Sequence, residues 1–244
     1  DIRFAFRMLL KRPGSTLIVV LTLALGIGAN TTIFSAIDAV LLNPLPYKDS
    51  ERLMVVWETK RQLGPEMWDG NEVAIGNFLD WRSRNQVFDQ LGALFYTDMN
   101  LTGIGAPERI KSCVVTSNLF QVLGVQPMLG RSFLPEEEVP GNPHSVILSH
   151  ELWQRLGSDR DLVNKSLTLN GRPVAVSGVV PPGFELQFPT SIHVDMWVPM
   201  VIDPGDLNRS LNFLYALGRL KQGVSREQAQ NEMSLIASQL QQQY

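Results

Sequence analysis

The sequence predicts an α+β protein, with one N-terminal transmembrane helix followed by a mixed α/β extracytoplasmic domain of two subdomains. Three observations point there. No charged side chain stands between Pro13 and Asp38, and Arg3, Arg7, Lys11 and Arg12 precede that gap. Beyond it, short alternating apolar runs interleave with segments of helical spacing. These runs are separated by strong turn signals such as Asn170-Gly171 and Pro181-Pro182-Gly183.

The stretch 15–37, at about 1.5 Å per residue, is long enough to cross a hydrocarbon core of about 30 Å. Basic residues flank only its N-terminal side, so the positive-inside rule leaves residues 1–12 in the cytoplasm and residues 43–244 outside. Within 1–12, Arg3, Arg7 and Lys11 recur every fourth position, with Ile2, Phe6, Leu9 and Leu10 around another face. This pattern predicts an amphipathic helix lying on the lipid of the inner leaflet. Pro13-Gly14 separates it from a transmembrane helix over 13–42. Ala24 and Gly28 form a small-xxx-small pair, and Gly26, Gly28 and Ala29 leave one side of that helix nearly bare. Small residues let helix backbones approach closely, so a further transmembrane helix is expected to pack at Ala24, Gly26 and Gly28. A cleaved signal peptide is the alternative. Its apolar region would span only about 7 to 15 residues, whereas here apolar character continues through Ile33-Phe34 and Val40-Leu41-Leu42, which favours an uncleaved anchor.

Beyond residue 12 the chain carries 17 Lys+Arg against 23 Asp+Glu, a net charge near −6, which argues against nucleic acid as a partner. One cysteine, Cys113, excludes an intramolecular disulfide framework. Its setting in the apolar-alternating run 110–115 predicts a packed strand thiol.

Residues 52–58 alternate as a strand with Leu53, Val55 and Trp57 on one face. The spacing of Phe78, Trp81, Phe88 and Leu91 predicts a helix over 77–91, followed by strands over 93–101 and 108–116. Ser117 is the expected N-cap of a short helix through Leu123, ended by Gly124. Further on come a strand over 144–148, a helix from Ser149 to Leu156, and a hairpin over 166–180 turning at Asn170-Gly171. A short strand at 196–198 and a returning strand at 211–220 follow. Ser225 and Gln228 form a capping box for a last helix with Ala229, Met233, Ile236 and Leu240 on its apolar face.

Catalytic and cofactor chemistry is missing from this pattern. No lysine follows a glycine, so there is no nucleotide-binding P-loop. His144, His150 and His193 are dispersed without metal-ligand spacing. Ser149-His150-Glu151 juxtaposes nucleophile, base and carboxylate types, but adjacent helical side chains point apart. The run Glu136-Glu137-Glu138 reads as a solvated loop face rather than a cation site. No catalytic residue, cofactor or metal is expected.

Several stretches in order carry a family resemblance. They are Leu21 to Thr31, Leu41-Leu42-Asn43-Pro44-Leu45-Pro46-Tyr47, Val115 to Val125, Leu129-Gly130-Arg131-Ser132-Phe133, Val146-Ile147-Leu148-Ser149, Leu152-Trp153 and Val179-Val180-Pro181-Pro182-Gly183-Phe184. In them the chain resembles the periplasmic core domain of MacB/FtsX-type ABC transporter permeases, most of all the stand-alone, often duplicated kind. Two local departures are Gly157-Ser158-Asp159, where the family tends to an aromatic residue, and Asn164 in place of a glycine. The resemblance implies a Porter-like subdomain over about 43–124 and 210–244, and a Sabre-like one over about 125–209. It implies three further transmembrane helices, the next beginning just after Tyr244, so that this chain is part of a larger permease. The implied partners are a separate ABC ATPase subunit, further permease helices or a second permease half, and membrane lipid, with room for a periplasmic adaptor. Residues Arg3, Arg7, Lys11 and Arg12 lie on the correct side to reach the ATPase. The implied function is mechanotransmission in a bacterial inner membrane, with export as the direction: ATP hydrolysis elsewhere drives conformational change outside, with the last helix as a return lever. The alternative is a single-pass anchored binding domain without an ATPase. An anchored hydrolase ranks third, because nothing assembles a credible nucleophile.

Overall fold

The computed structural model describes residues 14, 17, 21–28, 47–59, 72–142, 145–163, 165–188, 191–203, 205 and 207–244. The chain divides into two compact units, Asp1–Pro46 and Tyr47–Tyr244. In the first, residues 21–28 are helical and exposed.

The second unit is mixed α/β, as the sequence predicts. Its strands are β1 (Leu53–Val56), β2 (Val73–Ala74), β3 (Phe88–Thr102), β4 (Glu108–Val115), β5 (Leu129–Gly130), β6 (Ser145–Leu148), β7 (Ser166–Leu169), β8 (Arg172–Val179), β9 (Leu186–Gln187), β10 (Ser191–Ile192), β11 (Met196–Pro199) and β12 (Asn212–Leu220). Its helices are α1 (Ile75–Arg84), α2 (Leu119–Leu123), α3 (His150–Arg155) and α4 (Arg226–Gln243). Among the described residues ten strands share one sheet, in the order β1-β12-β3-β4-β11-β6-β8-β5, with β2 beside β12 and β7 beside β3 and β8. The remaining two, β9 and β10, form a separate hairpin.

The order of that sheet sorts by sequence. Strands from before residue 124 and after 210 occupy one half, and strands from 125–209 occupy the other. The halves meet where β4 runs parallel to β11, and again where Leu101 and Thr102 of β3 pair with β7.

Alternation along the strands fills both faces of the sheet. On β12, Tyr215 and Leu217 pack into one cluster with Tyr47, Leu94, Cys113, Phe120, Phe133 and Trp197. Leu214 and Ala216 pack into another with Phe78, Trp81, Phe88, Leu91, Ile236 and Leu240, beneath α1 and α4. A third cluster under α3 gathers Leu148, Leu152, Trp153, Leu167, Val176 and Met196 with Leu101 and Ile110. Cys113 is fully buried in its strand, and burial pushes its thiol pKa up.

Several local signals act as read. Ser149 Oγ accepts from Leu152 N at 2.9 Å and caps α3. Ser225 and Gln228 form the reciprocal box that opens α4. Asn170 and Gly171 sit at φ 48° and 77°, the positive pair that a type I′ hairpin turn needs. Gly124, at φ 70°, ends α2.

Three expectations fail, each for a local reason. The helix expected over 77–91 stops at Arg84. The Asn85 side chain donates to Trp81 O at 2.7 Å and accepts from Phe88 N at 3.1 Å, turning the chain into β3. Phe88 and Leu91 keep helical spacing from Phe78 and Trp81 only because strand and helix bury side chains in the same cluster. Ser117 does not cap α2, because its N–H and O–H both donate to the Glu138 carboxylate, at 2.6 and 2.8 Å. The acidic run is not a solvated face: Glu137 and Glu138 are buried, each with an arginine partner.

Candidate functional site

Residues just past the apolar N-terminal segment and residues leading into α4 meet on β12. Leu53 to Val56 of β1 pair antiparallel with Arg219 to Ala216 of β12. Arg52 Nε and Nη2 donate to Leu220 O, Nε at 2.9 Å, which extends that ladder by a side-chain clamp. Arg219 is buried within an otherwise apolar strand. Its Nε donates to Val122 O at 2.7 Å and its Nη1 to Asp49 O at 3.2 Å, so it joins β12, the end of α2 and the incoming chain. Burial first, and the neighbouring Arg52 second, hold its pKa below the usual guanidinium value.

Tyr47 anchors the start of this unit. Its ring is buried, its hydroxyl donates to Glu185 O at 3.0 Å, and it accepts from Gln187 N at 2.9 Å. The incoming chain is thus tied to β12 by Arg52 and to the β9 strand by Tyr47. Beside it, Lys48, Gln121, Gly124, Arg131 and Ser132 line an open cleft of about 470 Å³.

A second clasp holds the far end of α4. Arg209 donates to Asn77 Oδ1 at 2.8 Å and to Asp80 Oδ2 at 2.7 Å, and its guanidinium lies 3.7 Å from the centre of the Tyr244 ring. Arg84 adds a bond to Gln243 Oε1 at 2.8 Å. Both arginines connect the last turn of α4 to α1. A guanidinium does this well because its planar fork bonds and stacks at once.

This arrangement holds segments in place. Ser149 Oγ is occupied in capping, and the His150 ring lies tilted against Trp153, centre to centre 5.5 Å. His193 Nε2 lies 3.3 Å from Asp195 Oδ1, with Arg155 at 3.0 Å from the same oxygen and, among the described residues, no nucleophile hydrogen-bonded to the histidine. Among the described residues no group of His, Cys, Asp and Glu could hold a metal ion.

Of the residues predicted from sequence, Ala24, Gly26 and Gly28 lie in the helical, exposed stretch 21–28. A Cβ added at Gly26 or Gly28 meets nothing within 4 Å among the described residues. Arg3, Arg7, Lys11 and Arg12, and most of the span expected over 13–42, lie outside the described residues. Among those described, no helix is long and apolar enough to cross a membrane. Tyr47, Arg52, Arg209 and Arg219 were not anticipated. Arg219 had a signal: a charged residue inside the apolar run 211–220 is rarely buried without partners.

A family model described as MacB-like periplasmic core domain matches residues 16–236. The chain is similar in structure to the periplasmic region of MacB from Actinobacillus actinomycetemcomitans, with a TM-score of 0.57 at 14% identity over 78% of this chain and 84% of that one. It is also similar to a domain of a protein described as a permease from Porphyromonas gingivalis, with a TM-score of 0.53 at 18% identity over 69% and 71%. The extracellular domain of the noncanonic ABC-type transporter YknZ from Gram-positive bacteria gives a TM-score of 0.49 at 16% identity over 77% and 92%. No curated protein sequence matches the chain.

Proposed function

The chain belongs to the MacB-like periplasmic core domain family, and from that membership we propose that it is the first helix and extracytoplasmic core of a bacterial ABC transporter permease. In this reading a separate ATPase hydrolyses ATP in the cytoplasm. The resulting movement of the membrane helices passes outward through 13–42 into β1 and returns through α4, with export as the direction. The domain is no enzyme itself.

The single observation that carries the reading is the family match across 16–236, which runs from the apolar segment through most of α4. The geometry suits the role: the chain after the apolar segment and the strand before α4 are adjacent rungs of one ladder, so a pull on either loads the same sheet. The Porter-like and Sabre-like assignment is proposed on the same footing, supported by the sorting of the sheet into a half from 43–124 with 210–244 and a half from 125–209. Ala24, Gly26 and Gly28 are proposed to pack against further permease helices. Residues 1–12 are proposed to lie on inner-leaflet lipid near the ATPase.

The test is topology together with nucleotide response in the full-length protein. Single cysteines at exposed Glu227 and at Arg7 are treated with a membrane-impermeant thiol reagent in intact cells. Modification at 227 and protection at 7 is the expected result; the opposite pattern overturns the proposed orientation. Addition of ATP to the purified complex is expected to alter labelling at Glu227, and an unchanged rate counts against mechanotransmission.

A further inference from the structure

The parallel pairing of β4 with β11 is only four residue pairs long, from Met196↔Ser112 to Pro199↔Val115. A buried carboxylate stands at each end of it. At the start is Asp195, whose N–H donates to Lys111 O at 2.8 Å and whose carboxylate accepts from Lys111 N at 3.3 Å and from Arg155 Nη1 at 3.0 Å. At the other end, where the ladder closes with Pro199↔Val115 and the bond from Met200 N to Val115 O, stands Glu138, only 6% exposed. Its backbone oxygen accepts from Ile202 N at 2.8 Å, just past β11. Its Oε1 accepts from Ser117 N and Oγ, just past β4, at 2.6 and 2.8 Å. Its Oε2 accepts from both Nη1 and Nη2 of Arg82 at 3.0 Å.

The two clamps differ in where their arginine comes from. Arg155 lies on α3, in the same half of the sheet as Asp195, and reaches the other half only at the exposed start of β4, where its Nη2 donates to Glu108 Oε1 at 3.2 Å. Arg82 lies on α1, which shares a hydrophobic cluster with α4. We propose that Glu138 is the positioning residue that couples the α1–α4 layer to the 125–209 half, fixing the angle between the two halves at the Val115–Pro199 end of the β4–β11 seam. There a single residue bridges the two strands past the end of their ladder, its carboxylate holding Ser117 and its main-chain oxygen holding Ile202, and its charge is compensated by the helix that would carry the load. Charge-assisted bonds of this kind are stronger than neutral ones, and a buried carboxylate deprived of its cation is poorly tolerated. The inference rests on the permease reading only for what moves α4; the joint itself does not depend on it.

The experiment uses the full-length protein with spin labels on cysteines introduced at exposed Glu227 and Arg160, one in each half; native Cys113 is buried. Arg82→Gln and Glu138→Gln are each expected to broaden the interlabel distance distribution and to speed exchange at the Ser117 and Ile202 amides by about tenfold or more. The double variant is expected to be no worse than the more affected single variant, as for two members of one interaction. Ile236→Val, a core change, lowers the melting temperature without broadening the distribution. Arg82 is partly exposed on a helix surface, so Arg82→Gln alone decides the question where Glu138→Gln fails to fold. A folded Arg82→Gln protein with unaltered distances and exchange overturns the inference. These measurements need no nucleotide. A loosened joint in a protein that binds no ATPase therefore leaves the inference standing and removes the permease reading, and an unaltered joint in a protein that does bind one has the opposite meaning.

Discussion

Replacing Tyr47 with phenylalanine removes one oxygen atom from the anchor of the incoming chain and leaves the ring packed beside Phe184, whose centre lies 6.4 Å away. That oxygen makes two hydrogen bonds, to Glu185 O and from Gln187 N. Each such bond contributes about 0.5–1.5 kcal/mol net, and the partners are only partly buried, so water compensates in part and a total of about 1–3 kcal/mol is expected. For a domain of this size 1 kcal/mol corresponds to about 2–4 °C, so the melting temperature should fall by about 2–12 °C. The assay is thermal unfolding of the full-length protein followed by tryptophan fluorescence, with hydrogen exchange at the Gln187 amide as a local readout. A melting temperature within about 1 °C of the unmodified protein, with no faster exchange at Gln187, would refute the idea that Tyr47 ties the incoming chain to the β9 strand.

Gly218→Ala should destabilise the second unit by about 1–3 kcal/mol, because the new Cβ would lie 2.5 and 2.6 Å from two carbons of the buried Phe88 ring; an unchanged denaturant midpoint contradicts this. Gly28→Leu should impair transport while the outer unit keeps its protease resistance, and normal transport would count against helix packing at that face. Alkaline pH should weaken the fold. Burial raises the pKa of Tyr47, Tyr96 and Tyr215 above the unfolded value of 10.0, so their contribution is complete below that pH and is lost as pH rises through the folded values. Denaturant midpoints compared at about pH 8 and about pH 11 check it, and equal midpoints refute it. Acid should act through Glu137 in the opposite sense. Burial pushes its carboxyl up, but hydrogen bonds from Arg131 and the Leu134 amide, with the charge of Arg131, bring it below the usual 4.5. Its contribution is then present above that value and lost as pH falls through the folded one. An Arg131→Gln protein should therefore lose less stability between about pH 5 and about pH 3 than the unmodified protein, and an equal loss contradicts this.

Elements whose information is local were legible in the sequence. The type I′ turn at Asn170-Gly171, the caps at Ser149 and Ser225 and the buried strand around Cys113 each depend on a few adjacent residues. What depends on distant partners was not. Ser117 has the chemistry of a helix cap, but Glu138, twenty-one positions on, takes both of its donors. Glu137 and Glu138 look solvated in an acidic run, and only the fold brings Arg131 and Arg82 to them. Phe88 and Leu91 extended a helical pattern because periodicity cannot distinguish a helix from a strand that buries side chains in the same cluster. The anchors Tyr47 and Arg209 are single residues in loops, whose partners are set by tertiary structure alone. Arg219 was the readable exception.

The most direct measurement of the central claim is recovery of the native full-length protein from membranes by a tag, with identification of its companions by mass spectrometry. The expected result is a larger permease that co-purifies with an ATP-binding subunit and loses that subunit when residues 1–12 are deleted. Recovery of a protein with a single membrane span and no ATPase would contradict the permease reading and leave an anchored binding domain in its place.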